Sequence, residues 1–383
     1  MHTLSYVLET KQNLRLGFID FTRGFVMIIM AWDHVSGFWN PGKMGGEGLG
    51  GNFPRYTDLV QFLLRFMTHV CAPTFLFLAG TSLAISTWKR RSRGESEFNI
   101  SKRMVIRGII LLILSHYIVG PSFGMRNIYF GVIACIGVCF ILFSIGRKIS
   151  TIMILVLSII IILFNQYINL NWLPNEPFWT ILKIIIHDPG SSRTIGFSGL
   201  YPVLPWIGVM GLGWCFGDYL TKNYWNDTHK LVTPLTISGV ISICVFIIVR
   251  WINGYGNLVN RSGTSIIAWL SISKYPPSIA YLLSTLGLMS LILAIGLKLE
   301  TAKSILKAAV NIVKLFGQTA LFFYMAHLPL YRNLPSLLNI KRYSLNLSGV
   351  AVFWVLGLCL LWGLCKVFLK IKRRYSNSLL QYI

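Results

Sequence analysis

About ten apolar runs, most near the roughly 20 residues needed to cross a bilayer core, recur along the 383 residues and are separated by short basic connections. Hydrophobic residues make up 54% of the chain and charged ones 12%, so little polar surface is available to keep such runs in water. Lipid offers no hydrogen bonds, and segments that cross it must satisfy their own backbone groups. The chain therefore reads as an all-α, polytopic integral membrane bundle of about ten transmembrane helices. They are expected near residues 18 to 37, 59 to 87, 104 to 120, 127 to 146, 150 to 169, 200 to 220, 231 to 251, 277 to 297, 310 to 333 and 347 to 369.

The formal charge of +23 is arranged as a topology signal. Lys11, Arg15, the run Lys89-Arg90-Arg91, Arg93, Lys102, Arg103, Arg147, Lys148, Lys222, Lys230, Lys298, Lys303, Lys307, Lys314, Lys370, Lys372, Arg373 and Arg374 all fall on one side of the expected spans. That bias predicts both termini in the cytoplasm. Nucleic-acid binding is not expected, because the cations are not interleaved with exposed aromatics. A single transmembrane domain over 1–383 is expected, with no separate soluble domain. The first run has no small-residue cleavage pattern after it and reads as retained. All seven cysteines lie in apolar segments without CxxC or Cys/His ligand spacing, so they read as small buried hydrophobes, with no metal site.

The first run, GFIDFTRGFVMIIMAWDHVSGFW, carries ionisable groups where such groups are costly. Arg23 and His34 are eleven residues apart, which on a helix returns almost to the same azimuth about 16 Å along the axis. Intramembrane charges face a bundle interior or a water-filled cavity, so a site spanning the bilayer follows. His34 is a candidate general base, since imidazole titrates near neutral pH, and Asp33 is a candidate orienting carboxylate. Adjacent helical residues diverge by about 100°, so Asp33 equally suits another partner. Asp20 shares a face with Arg23 and is either its ion-pair partner or part of an anion site.

Other histidines fall at similar depth. His69 precedes Pro73 by four residues; the proline cannot donate to its carbonyl, which needs another partner inside a bilayer. His116 and His327 are substrate candidates or interfacial anchors. Arg103 and Arg107, beyond the cluster WKRRSRG, are topology anchors or attract an anionic cofactor at the inner mouth. Tyr201 and Trp206 open a span broken by Pro202 and Pro205, as a pocket wall or an interfacial belt. GKMGGEGLGG (42 to 51) lacks phosphate-loop spacing and reads as a flexible outer loop or lid.

Asp20-x-x-Arg23-Gly24 followed by Asp33-His34 resembles the opening of the bacterial relatives of heparan-alpha-glucosaminide N-acetyltransferase, in the transmembrane acyltransferase superfamily. THVCAPTFLFLAGTS (68 to 82), YPVLPWIGVMGLGWCFG (201 to 217), SKYPPSIAYLLSTLG (273 to 287) and FGQTALFFYMAHLPLY (316 to 331) are further similar blocks. The resemblance implies transfer of an acetyl or similar acyl group from cytoplasmic acetyl-CoA, the acyl donor substrate, to a hydroxyl or amine across the membrane. Arg23, with Asp20, Arg103 and Arg107 nearby, would hold the donor; His34 would act at the acyl centre, and His69 would be a second base, an oxyanion donor or a relay. The lysosomal branch places a histidine after the first helix, but this chain has none between His34 and His69, which favours direct transfer over an acyl-histidine. The implied acceptor is an extracytoplasmic sugar or glycan of the cell envelope, the implied site a bacterial inner (plasma) membrane. Oligomerisation is left open. The rival readings are a secondary transporter of a small polar solute using the same His, Arg and Asp groups, and a non-catalytic scaffold or receptor.

Overall fold

A computed structural model describes residues 16–192, 194–375 and 378–382; Lys11 and Arg15 lie outside the described residues. The molecule is mostly helical: α1 (Gly17–Trp39), α2 (Leu59–Arg91), α3 (Glu97–Ser122), α4 (Val132–Gly146), α5 (Thr151–Phe164), α6 (Pro177–Ile186), α7 (Val203–Asn223), α8 (Thr228–Ile252), α9 (Ile266–Leu270), α10 (Ile279–Thr301), α11 (Ser304–Gln318), α12 (Ala320–Asn333) and α13 (Leu347–Arg374). Helix starts follow local chemistry. Asp58 accepts from the Val60 and Gln61 amides ahead of α2, and Ser96 from the Asn99 amide ahead of α3, satisfying N–H groups that an isolated end leaves unpaired.

Helix lies at every place where a span was expected. Among the described residues, six helices are long and apolar enough to cross a membrane: α2, α3, α7, α8, α10 and α13. A seventh arises if the run through α11 and α12 counts as one span, although it bends by 88°. α4 and α5 are shorter, at 15 and 14 residues. These apolar helices make the protein an integral membrane protein. α8 and α13 turn mostly outward, and Cys244 and Cys359 on them are exposed. Those two cysteines differ from the buried hydrophobes expected, because an apolar helix facing lipid has no need to bury every apolar residue.

α1 carries the charges yet sits innermost, packed against α2, α10, α11, α12 and α13. Glycine makes its tightest contact. A Cβ on Gly24 would overlap the Val313 carbonyl, and one on Gly317 would overlap the Asp20 carbonyl, so the backbones of α1 and α11 touch. Gly317→Ala is expected to cost at least about 1–3 kcal/mol, because the clash is with main chain and not with a side chain that can rotate away. Thermal unfolding in detergent checks this, and an unchanged midpoint would refute the close approach.

Among the described residues, three short strands cover the end of the bundle that holds His34. β1 (Ile128–Phe130) pairs in parallel with β3 (Phe197–Gly199), and β2 (Gly190–Ser192) pairs antiparallel with it on the other side. Their register sets Tyr129 and the chain leading to Tyr201 against the bundle.

Candidate active site

Asp33 and His34 leave α1 in different directions and meet different neighbours. Asp33 is held by α2, where Arg65 Nη1 donates to both its carboxylate oxygens at 2.8 Å, and Lys43 Nζ lies 3.2 Å away. His34 faces α12: its Nδ1 is 2.6 Å from Nε2 of His327, and the two rings stack with centroids 4.9 Å apart. The expected Asp33 support of His34 is thus replaced by an imidazole.

The hydrogen bonds fix the protons. The Phe323 carbonyl only accepts, so His327 Nδ1 donates to it at 3.0 Å. A neutral His327 then has its Nε2 lone pair available, and His34 Nδ1–H donates to it. His34 Nε2 is left with a lone pair and, among the described residues, no partner. His34 lines a cavity of about 310 Å³ whose wall also includes Asp33, Lys43, Phe123, Tyr129, Tyr201 and Lys274. His327 is fully buried behind it. In such a pair one imidazole keeps a ring nitrogen lone pair while the second ring holds its tautomer.

The rim of this cavity comes from the glycine-rich run GKMGGEGLGG, expected as a flexible outer loop or lid. Lys43, Gly45 and Gly46 line it, and Glu47 turns inward to Arg65, which donates to it from Nε at 2.6 Å and Nη2 at 2.8 Å. Burial works against a charge on Glu47, but the Arg65 guanidinium and the adjacent His69 imidazole hold its carboxyl well below the usual carboxylate range. Gly48, with φ at +87°, packs where a Cβ would overlap Ser273. The glycine-rich run, expected as a flexible outer loop or lid, therefore sits over the cavity as a cover tied down by ion pairs.

His69 is buried outside the cavity lining, with Nε2 3.5 Å from Glu47 Oε1. Its carbonyl, deprived of a donor by Pro73, accepts from the Tyr281 hydroxyl at 2.8 Å. Tyr201 lines the cavity, while Trp206 is fully buried behind it, ring centroids 5.5 Å apart. His116 lies on a π turn, exposed and against Tyr117, away from the cavity.

Arg23 sits toward the opposite end of α1. It donates to the Leu78 carbonyl at 2.9 Å and to Ser82 Oγ, and lies 4.0 Å from Asp20. It lines two further cavities. One, about 440 Å³, is bounded by Asp20, Ser82, Lys89, Arg90 and Arg93; the other, about 270 Å³, by Phe75, Ala79, Ser82, Arg107, Val132 and Tyr324. Phe75, Val132 and Tyr324 also line the His34 cavity. Arg107 borders a smaller space with Arg90 and Arg103, the latter paired with Glu95 at 3.1 Å. Cavities with lining residues in common thus lie between the basic surroundings of Arg23 and His34.

Arg65, Lys43, Glu47 and Lys274 escaped the sequence reading. An arginine within the apolar run LVQFLLRFM carries the same signal as Arg23 and could have been found; Lys43, Glu47 and Lys274 sit in loops, where charge is unremarkable. No curated protein matches the chain significantly. The family described as heparan-alpha-glucosaminide N-acetyltransferase, catalytic, matches residues 15–251, which takes in Arg23, Asp33, His34, Glu47 and Arg65 and ends before Lys274 and His327. The matched stretch is more than half of the chain, which therefore belongs to the heparan-alpha-glucosaminide N-acetyltransferase catalytic family and has a membrane function of the acetyltransferase type.

Proposed function

We propose that the protein moves an acetyl or similar acyl group from acyl-CoA, entering at the basic vestibule, to a hydroxyl or amine of an extracytoplasmic sugar or glycan in the His34 cavity. The observation that carries this reading is the unpartnered Nε2 lone pair of His34, in a cavity whose walls are shared, step by step, with one lined by Arg23. In this reading the chain crosses the membrane ten times with both termini cytoplasmic, which puts the basic vestibule on the side of the donor. The membrane is a bacterial inner membrane. CoA phosphates stay with Arg23, Arg103, Arg107 and Arg90, and the pantetheine arm follows the middle cavity.

His34 Nε2 takes the proton of the acceptor as its oxygen or nitrogen attacks the thioester carbonyl. The carbon–sulfur bond then breaks, and the proton passes from the imidazolium to the leaving sulfur, giving acylated acceptor and free CoA. The Tyr129 and Tyr324 hydroxyls, both lining the His34 cavity, are the donors available to the carbonyl oxygen during attack. His327 holds the tautomer that leaves Nε2 basic. Asp33 acts through Arg65 in fixing the cover, and not as the carboxylate of the base.

The test is release of CoA from labelled acetyl-CoA by the purified protein in lipid nanodiscs, with mass spectrometry of envelope glycans from cells with and without it. Ala79→Trp fills the middle cavity without touching either end, and is expected to slow CoA release on the order of 10²-fold by misplacing the thioester. Solute uptake without thioester cleavage would favour the transporter and sink the enzyme reading.

A further inference from the structure

Five charges that do not cancel lie in the wall of the His34 cavity or directly behind it, Glu47 being the one behind. Asp33 and Glu47 are the carboxylates, and Lys43, Arg65 and Lys274 the cations. Arg65 spans both carboxylates with four short hydrogen bonds, and Lys43 sits on Asp33. That arrangement consumes both negative charges. Lys274 remains: only 5% exposed, with no carboxylate within 4 Å among the described residues and no hydrogen bond from its ammonium. Its ammonium lies over the faces of Tyr275 and Tyr201, with Nζ 5.1 Å and 5.8 Å from the ring centroids. Ring faces are weak partners for a buried ammonium compared with an anion.

The backbone does not let this lysine swing away. Its amide donates to the Glu47 carbonyl at 2.9 Å, and an antiparallel bridge ties it to Pro277. The same peptide segment is therefore fastened to the cover of the cavity, and the ammonium stays among the cavity-lining groups. A buried cluster with one more cation than carboxylate gains from an anion placed against the cation that has no direct ion pair.

We propose that Lys274 binds an anionic group, a carboxylate or phosphate, on the molecule that is acylated, so that the acceptor is an acidic sugar or a sugar phosphate and not a neutral one. The word acceptor rests on the acyl-transfer reading; the anion site does not. One anchor at Lys274 and one nucleophile at His34 orient a monosaccharide-sized group by two points.

The experiment uses the full chain in nanodiscs with matched probes: glucuronate against glucose, glucose 1-phosphate against glucose, and inorganic phosphate alone. The unfolding midpoint should rise with at least one anionic probe and not with glucose. Lys274→Gln should abolish that rise while its unliganded midpoint equals or exceeds that of the wild type, because an uncompensated charge has been removed. Lys274→Arg should restore the rise. In turnover with acetyl-CoA, Lys274→Gln should raise KM for the anionic sugar by at least about tenfold and erase its advantage over the neutral one.

Equal shifts with glucose and glucuronate, no shift with any anion, or an anion preference that survives Lys274→Gln would each overturn the proposal. So would a fall in acetyl-CoA affinity in that variant, which would assign the lysine to the donor. A Lys274-dependent anion shift in a protein that never cleaves acetyl-CoA keeps the anion site and discards acyl transfer. Cleavage of acetyl-CoA without any anion binding does the reverse.

Discussion

His34→Gln is expected to lower acyl transfer about 10²–10⁴-fold, the range lost when a positioned general base is removed, with normal amounts of protein in the membrane. Glutamine is close to histidine in volume and its amide N–H still reaches Nε2 of His327, so the packing of α1 on α12 is preserved. What disappears is the lone pair facing the cavity. Single-turnover CoA release measures the chemical step, and equilibrium binding of acetyl-CoA should change little, because Arg23 and the basic vestibule lie about 16 Å away along α1. His327→Phe separates base from orienter. It keeps an aromatic ring against His34 but removes the acceptor of Nδ1–H, so a smaller loss is expected, with His34 free to take the wrong tautomer. Full transfer activity in His34→Gln would end the assignment of this residue as the base.

The distinction between these two histidines shows what the chain discloses before it folds. An eleven-residue spacing on one helix is a property of α1 alone, so Arg23 and His34 could be put on one face from sequence. The length of the apolar runs also located the helices, because that length is local, and the missing donor of Pro73 correctly announced a carbonyl in need of a partner. Which partner is a different matter. Tyr281 lies 212 residues from His69, and His327 lies 293 residues from His34. Lateral neighbours in a bundle depend on how every helix is rotated and tilted, and apolar spans offer few features that choose among arrangements in lipid. Asp33 illustrates the limit: its divergence from His34 is evident from helix geometry, but the guanidinium that holds it belongs to Arg65, inside the apolar span expected at 59 to 87. The loop with Glu47 was harder still. A glycine-rich segment ordinarily means freedom, and nothing local reveals that one carboxylate in it will be drawn beneath the surface by Arg65.

Arg65→Met is expected to destabilise the fold by about 3–5 kcal/mol, the cost of removing one partner from a buried ionic cluster and leaving the others uncompensated. Arg65 is 7% exposed and supplies four of the short hydrogen bonds that Asp33 and Glu47 receive. Without it, Asp33 keeps Lys43 and Glu47 keeps only the His69 imidazole at 3.5 Å. Thermal unfolding in detergent should show a large fall in midpoint, and Arg65→Lys should recover only part, because a point charge cannot address two carboxylates in a plane. Replacing all three charges together, with Asp33→Asn, Glu47→Gln and Arg65→Met, should unfold at a higher temperature than Arg65→Met alone, since the penalty lies in stranded charge. The sign of the pH dependence follows from Glu47. Its carboxyl is held below the ordinary range, so its stabilisation is complete above that range and is lost only as pH falls through the lowered value. Arg65→Met forfeits that protection, and mild acid, by protonating the stranded carboxyls, should narrow its deficit relative to wild type. A variant that melts within a degree of wild type would mean that the cluster is not what fixes the cover over His34, and the anchored rim would have to be explained by the packing of Gly48 on Ser273 instead.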